Sequence, residues 1–292
     1  MMRVMNLNLF SAWRRISPRF MPFSDVATKD LPLSKWLRLA LFQVSVGMAT
    51  VMLIGTLNRV MIVELHVPAS IVSVMISLPI VFAPFRALIG FRSDNHKSAL
   101  GWRRVPYIWK GALVQFGGLS IMPFALLVLS GAGQSQQAPV WVGWVASGLA
   151  FLLVGAGIHI TQTVGLALAT DLAPEADQPK VVGLMYVMQL MGMMGSALVL
   201  GDLLADYSPG ALIRVVQAVA VITLVLNVVA VWKQEARSRQ RQPGLPAEES
   251  FQHSWKLFCA GPHTLRRLLA VGLGSMAFTM EDVLLEPYGG EI

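Results

Sequence analysis

The chain has 292 residues, 55% of them hydrophobic and only 13% charged, with Lys and Arg in sufficient excess over Asp and Glu to give a formal net charge of +7. That balance leaves no soluble domain of ordinary size and assigns the positive charge to loops rather than to a nucleic-acid-binding surface. One cysteine, Cys259, excludes an intramolecular disulfide.

Residues 1–35 carry Pro18, Pro22 and Pro32 among mixed charges, which suits an interfacial arm on the inner leaflet better than a folded domain. Arg14 and Arg15 precede no apolar core long enough for a twin-arginine signal, so no cleaved leader is expected. Six apolar spans follow at 37–58, 69–90, 108–130, 140–163, 181–201 and 211–232, and form a bundle over 36–232. Each is near the ~20 residues that cross ~30 Å of hydrocarbon. With the N-terminus cytoplasmic, only Arg59 and Arg214 of the 23 Lys and Arg face outward, as the positive-inside rule requires. Trp36, Trp102, Trp109, Trp141, Trp144 and Trp232 fall at span ends, where an indole keeps its ring in lipid and its N–H wet. The fold class is an all-α, multi-pass inner-membrane protein, with lipid as a partner and no nucleic acid.

Residues 233–267 read as a cytoplasmic linker broken by prolines, in which Phe251, Trp255 and Phe258 share one face of a short amphipathic helix at the membrane surface. A seventh span begins within 268–292. Six spans, a long linker and a new span are the layout of a two-halved transporter, so the expectation is a seventh helix begun and a chain truncated at Ile292.

Between the second and third spans, Gly90-Phe-Arg-Ser-Asp94 precedes Gly101-Trp-Arg103-Arg104, which resembles the cytoplasmic signature of the major facilitator superfamily. Its glycines permit tight turns, while Asp94 and the arginines can pair as a conformational lock. Asn95 to Leu100 insert several more residues than the usual spacing. The segment Asp171 to Lys180 looks like the equivalent loop between the fourth and fifth spans, and Asp171 is a candidate partner for Arg103 or Arg104.

Longer stretches are more specific: Gln43-Val-Ser-Val-Gly-Met48, Gly55-Thr-Leu-Asn58-Arg59, Ala83-Pro-Phe-Arg86, Gly101-Trp-Arg-Arg-Val-Pro-Tyr107 and Asp282-Val-Leu-Leu-Glu286. From about Pro18 onward the chain resembles the PucC/LhaA group, the bacteriochlorophyll-delivery branch of the major facilitator superfamily in phototrophic bacteria. The resemblance implies a twelve-helix protein of the intracytoplasmic photosynthetic membrane. It further implies a role in assembling light-harvesting complex 1 or 2, or the reaction centre-antenna complex, with bacteriochlorophyll as the bound cofactor.

Against that background His159, in the fourth span, is the first choice for an axial ligand to bacteriochlorophyll magnesium, because neutral imidazole is a common metal ligand and small neighbours would admit a flat ring. An interhelical hydrogen bond or a proton relay is the plainer reading. Gln43, Gln115, Gln162 and Gln189 can serve pigment carbonyls or each other. Glu281, Asp282 and Glu286 in the seventh span are read as proton carriers, as oxygen ligands to magnesium, or as ion-pair partners of Arg59 or Arg86. Met185, Met188, Met191 and Met194 recur three apart in the fifth span, which suits helix packing first and an irregular apolar ligand second. No phosphate-binding loop, zinc spacing, nucleophile elbow or dinucleotide fingerprint occurs, so no enzyme is expected. The rival to an assembly factor is a proton-coupled transporter of a small solute.

Overall fold

The computed structural model describes residues 32–96, 102–131, 137–235 and 251–291, with side chains as far as Ala277. Most of the expected arm, 1–31, and the linker stretch 236–250 lie outside the described residues. Among the described residues the chain is helical and contains no strand. In order it forms α1 (Leu33–Glu64), α2 (Ala69–Asp94), α3 (Val105–Ser130), α4 (Val140–Leu172), α5 (Gln178–Leu203), α6 (Pro209–Val231), α7 (Phe251–Cys259) and α8 (Thr264–Glu291). Helices α1 to α6 are long and apolar enough to cross a membrane, and the chain is a multi-pass membrane protein with a further long helix, α8.

Local chemistry sets the ends of these helices. Prolines stand in the first turns of α3 and α5, where the missing N–H has no intrahelical partner to lose. Pro209 opens α6 just after Ser208, whose hydroxyl accepts the Ala211 N–H at 3.2 Å. Gly131 ends α3 with φ 61°, a left-handed geometry that a Cβ would strain. Helix α1 is α-helical to Thr50 and then widens into π-helical turns at Val51–Leu57 and Val60–Glu64. Helix α2 breaks at Ala83-Pro84 into Ala69–Phe82 and Phe85–Asp94.

In the bundle α3 lies along α4 and α6, α1 along α5 and α6, and α2 along α4. Small residues bring the backbones together, as apolar surface alone does not drive association in lipid. A Cβ on Gly157 of α4 would stand 2.6 Å from the Gly111 carbonyl oxygen of α3, and one on Gly47 of α1 would stand 2.5 Å from that of Gln189 on α5. Helices α2 and α5 are the least covered spans and pack on α4 and α1.

Three expectations change. Trp36 is not at the lipid interface: it is 2% exposed and belongs to a core cluster with Leu39, Phe42, Ile108 and Leu168, because the first turn of α1 is covered by neighbouring helices. Trp109, Trp141 and Trp232 are exposed as expected. Helix α4 runs to Leu172, so Asp171 sits in its last turn rather than in a loop. The methionine stripe divides, with Met185 buried while Met191 and Met194 are exposed. The aromatic face of α7 forms as read, with Phe251 stacked on Trp255 and edge-on to Phe91 of α2.

Candidate functional site

Two polar systems share α2 and α4. The first lies at the end of the bundle where α2 stops and α3 starts. Arg104 is 6% exposed and pairs with Asp94, and its Nε donates to Asp171 Oδ2 at 3.0 Å. Its Nη1 also donates to Ser93 Oγ at 2.8 Å. Arg103 Nη2 reaches the same Asp171 oxygen at 2.6 Å. The structure thus brings all four residues of the expected lock together despite the inserted residues of the loop, of which 97–101 lie outside the described residues.

Glu235, just past α6, completes this cluster and has no counterpart in the sequence reading. Its carboxylate accepts the backbone N–H of Arg103 at 2.7 Å, of Arg104 at 3.0 Å and of Val105 at 2.9 Å. These are donors that the start of α3 would otherwise leave unpaired, and a negative charge there also suits the helix dipole. The neighbouring Gln234 Nε2 donates to the Lys35 carbonyl at 3.1 Å, so the end of α6 ties the starts of α1 and α3. The available signal was weak: one acid directly after a span in an otherwise basic segment.

The second system lies at membrane depth. His159 Nε2 is 3.1 Å from the Pro79 carbonyl oxygen of α2. That oxygen is free because the Ala83 N–H turns to the Ile80 carbonyl at 2.9 Å where α2 breaks. A neutral imidazole bonds a carbonyl only through a protonated Nε2, and in that tautomer Nδ1 is a bare lone pair, buried and without a partner among the described residues. The imidazole stacks on Phe82, ring centroids 6.4 Å apart.

One turn farther along α4, Arg86 Nε donates to Thr163 Oγ1 at 2.9 Å and Arg86 Nη2 to Gln162 Oε1 at 3.3 Å. Gln162 Nε2 in turn donates to Gln189 Oε1 of α5 at 3.1 Å. Arg86, Gln162 and Gln189 are therefore joined by hydrogen bonds across α2, α4 and α5, and His159 lies one turn before Gln162 on α4. Gln43 and Gln115 are not joined to them by a hydrogen bond: both are fully buried, with neither amide atom partnered among the described residues. Glu281, Asp282 and Glu286 lie in the part of α8 whose side chains are outside the described residues. Arg59 is exposed.

The glycines near His159 do not leave a slot for a flat ring. Gly155 abuts Pro79 of α2, and Gly157 abuts Gln115 and Gly111 of α3, so helix packing already uses them. Among the described residues no group of three or more His, Cys, Asp or Glu could hold a metal ion. Among the described residues, ligation here rests on His159.

The sequence profile of the family described as PUCC protein matches residues 56–292. The chain is 63% identical to "Protein PucC" of Rhodovulum sulfidophilum, over 95% of the chain and 62% of that relative. It is 61% identical to "Protein PucC" of Rhodobacter capsulatus, over 95% of the chain and 60% of the relative. At 27% identity it is similar to the "Bacteriochlorophyll synthase 44.5 kDa chain" of Rhodobacter capsulatus, over 87% of the chain and 56% of the relative. The chain thus spans about three fifths of the length of the curated relatives it matches. No solved structure matches it.

Proposed function

The chain belongs to the PUCC protein family, and on that premise we propose that it serves the assembly of bacterial light-harvesting antenna complexes by holding bacteriochlorophyll in the bundle and passing it to antenna polypeptides. The role is non-catalytic. It is exercised in the intracytoplasmic photosynthetic membrane with the N-terminus cytoplasmic, where the basic loops meet anionic lipid. Besides the family, a relative whose own name refers to bacteriochlorophyll supports the reading.

The observation that carries the pigment is His159. Metal-binding histidines commonly donate one ring N–H to a carbonyl and so present the other nitrogen as a lone pair, which is the state His159 has through Pro79. Bacteriochlorophyll would bring a magnesium, and His159 would hold it through Nδ1. Gln162, Gln189 and Gln43 would hold ring carbonyls. The donor chemistry fits. Because Nδ1 is covered, a macrocycle reaches it only when neighbours such as the part-exposed Phe82 turn aside. Asp94, Arg103, Arg104 and Asp171 then act as the lock that holds this end of the bundle in one arrangement.

The test is a strain deleted for the intact gene and complemented with wild type or His159→Ala. Deletion is expected to diminish the near-infrared antenna band while pigment synthesis and reaction centres persist. His159→Ala is expected to lower the bacteriochlorophyll recovered per protein at near-normal protein level. An unchanged antenna band on deletion, with no second assembly factor present, overturns the function. Equal pigment per protein removes His159 as ligand, and restoration by an added solute favours a transporter.

A further inference from the structure

Helix α2 carries Pro79 and Pro84, and the second of them decides which acceptor His159 meets. In an unbroken α-helix the carbonyls of Pro79 and Ile80 would be taken by the N–H groups of residues 83 and 84. Pro84 has no N–H to give. The Ile80 carbonyl is instead served by the Ala83 N–H at 2.9 Å, and that shift leaves the Pro79 carbonyl to the imidazole, whose Nε2 is 3.1 Å away. Two donors thus meet two acceptors. Had Ala83 kept Pro79, the Ile80 oxygen and the imidazole N–H would both go unpaired at membrane depth, where no water replaces a lost bond.

An N–H at residue 84 would upset this count without moving the backbone. Ala83 has φ −55° and ψ −40°, and Pro84 has φ −60° and ψ −31°, so both are already helical and an amide hydrogen at 84 would point along the helix at the Ile80 carbonyl. Ala83 would then return to Pro79. Three donors would compete for two carbonyls, and the side chain is the one displaced, since the two amides are fixed in place by the helix itself. Phe82 stacks on the imidazole and Gly155 lets α4 abut Pro79, so the ring keeps its location while losing the bond that sets its protonation. Pro79 has no such influence, because its own missing N–H bears on the carbonyl of Met75 rather than on its own oxygen.

We infer that Pro84 is a positioning residue for His159: by withholding an N–H from α2 it reserves the Pro79 carbonyl for Nε2–H, fixes that tautomer of the neutral ring, and holds Nδ1 as the acceptor nitrogen. None of these steps needs a ligand. The inference rests on the proposed function only for what Nδ1 receives, which on that reading is the magnesium of bacteriochlorophyll. A histidine oriented through its other ring nitrogen is the better metal ligand, and loss of the orienting partner typically weakens metal binding roughly 10–100-fold.

The experiment is nitrogen NMR of the purified chain, isotope-labelled at histidine, in neutral maltoside micelles, with the His159 ring signals assigned by their absence from His159→Ala. Wild type is expected to show one neutral tautomer, protonated and hydrogen-bonded at Nε2. In Pro84→Ala the hydrogen-bonded Nε2–H population is expected to fall about fivefold, the size of one neutral hydrogen bond, as an unbonded ring and the Nδ1–H tautomer appear. Pro79→Ala also removes a proline from α2 but brings no new donor to the Pro79 or Ile80 carbonyl, and is expected to keep the wild-type signals. A ring protonated at Nδ1 in wild type overturns the inference with no variant needed. An unchanged ring in Pro84→Ala overturns it too, as does an equal change in both proline variants, which marks general loosening of α2. Bacteriochlorophyll a added to the same samples separates this inference from the proposed function. A tautomer that follows Pro84 while neither protein binds pigment upholds the positioning and overturns His159 as ligand, whereas an affinity about tenfold lower in Pro84→Ala than in wild type upholds both.

Discussion

Neutralising Asp94 and Asp171 together is expected to destabilise the protein by more than the two single changes added. Both carboxylates serve Arg104, whose side chain is 7% exposed, while Asp94 and Asp171 are 52% and 34% exposed. Asp94→Asn or Asp171→Asn alone leaves the other carboxylate in place, and screening at such exposed partners limits each loss to about 1 kcal/mol. The double variant leaves a buried guanidinium with Ser93 and no carboxylate paired to its side chain, since Glu235 is engaged by the backbone N–H groups of Arg103 to Val105. Stripping a buried cation of its partners costs roughly 3–5 kcal/mol, so the coupling comes to about 1–3 kcal/mol. It is read from unfolding of the four purified proteins in mixed micelles on titration with a denaturing detergent, with Trp36 among the buried fluorescent reporters. In an Arg104→Ala background the coupling is expected to fall near zero. Additivity within about 0.5 kcal/mol in the Arg104 protein would refute Arg104 as the shared centre.

Two further outcomes follow from packing and topology. Gly157→Ala is expected to destabilise the protein by about 1–3 kcal/mol, because its Cβ would press on the backbone of α3, while Gly195→Ala on the open face of α5 is expected to stabilise it by about 0.5–1 kcal/mol through helix propensity. The same detergent titration reads both signs. Cys259 is the chain's only thiol and is partly exposed on α7, so a membrane-impermeant maleimide is expected to label it in inside-out vesicles and not in right-side-out ones. Labelling from the outside alone would reverse the assigned orientation.

What the sequence disclosed and what it withheld divide along a physical line. A span is a local property, since about twenty apolar residues must satisfy their backbone within themselves. Accordingly α1 to α6 were legible from hydropathy and α7 from its aromatic spacing. The loop motif named Asp94, Arg103 and Arg104, because short-range turn chemistry and charge stand next to each other in the chain. Glu235 was not legible, as its partners lie about 130 residues away and depend on α6 ending beside the start of α3. The same holds for His159: the residue was conspicuous as an imidazole in an apolar span, but its partner is a carbonyl freed by a break in another helix, 80 residues distant. Gly155 and Gly157 misled for a related reason. Small residues mark close approach without saying what approaches, and here it is α2 and α3.

The two polar systems are mechanically joined. Arg86 and Asp94 ride on the same short segment, Phe85–Asp94, which Pro84 separates from the rest of α2. The residues they face, Gln162, Thr163 and Asp171, all ride on α4. A displacement of that segment wide enough to part Arg86 from Gln162 and Thr163 shifts Asp94 against Arg104 and Asp171, and so strains the ion pairs at the end of the bundle. The proline break supplies the compliance, and the contact of His159 with the Pro79 carbonyl ties the part of α2 before the break to α4. The ion pairs at the end of the bundle are thereby tied to the polar contacts deeper in it through one ten-residue helical segment.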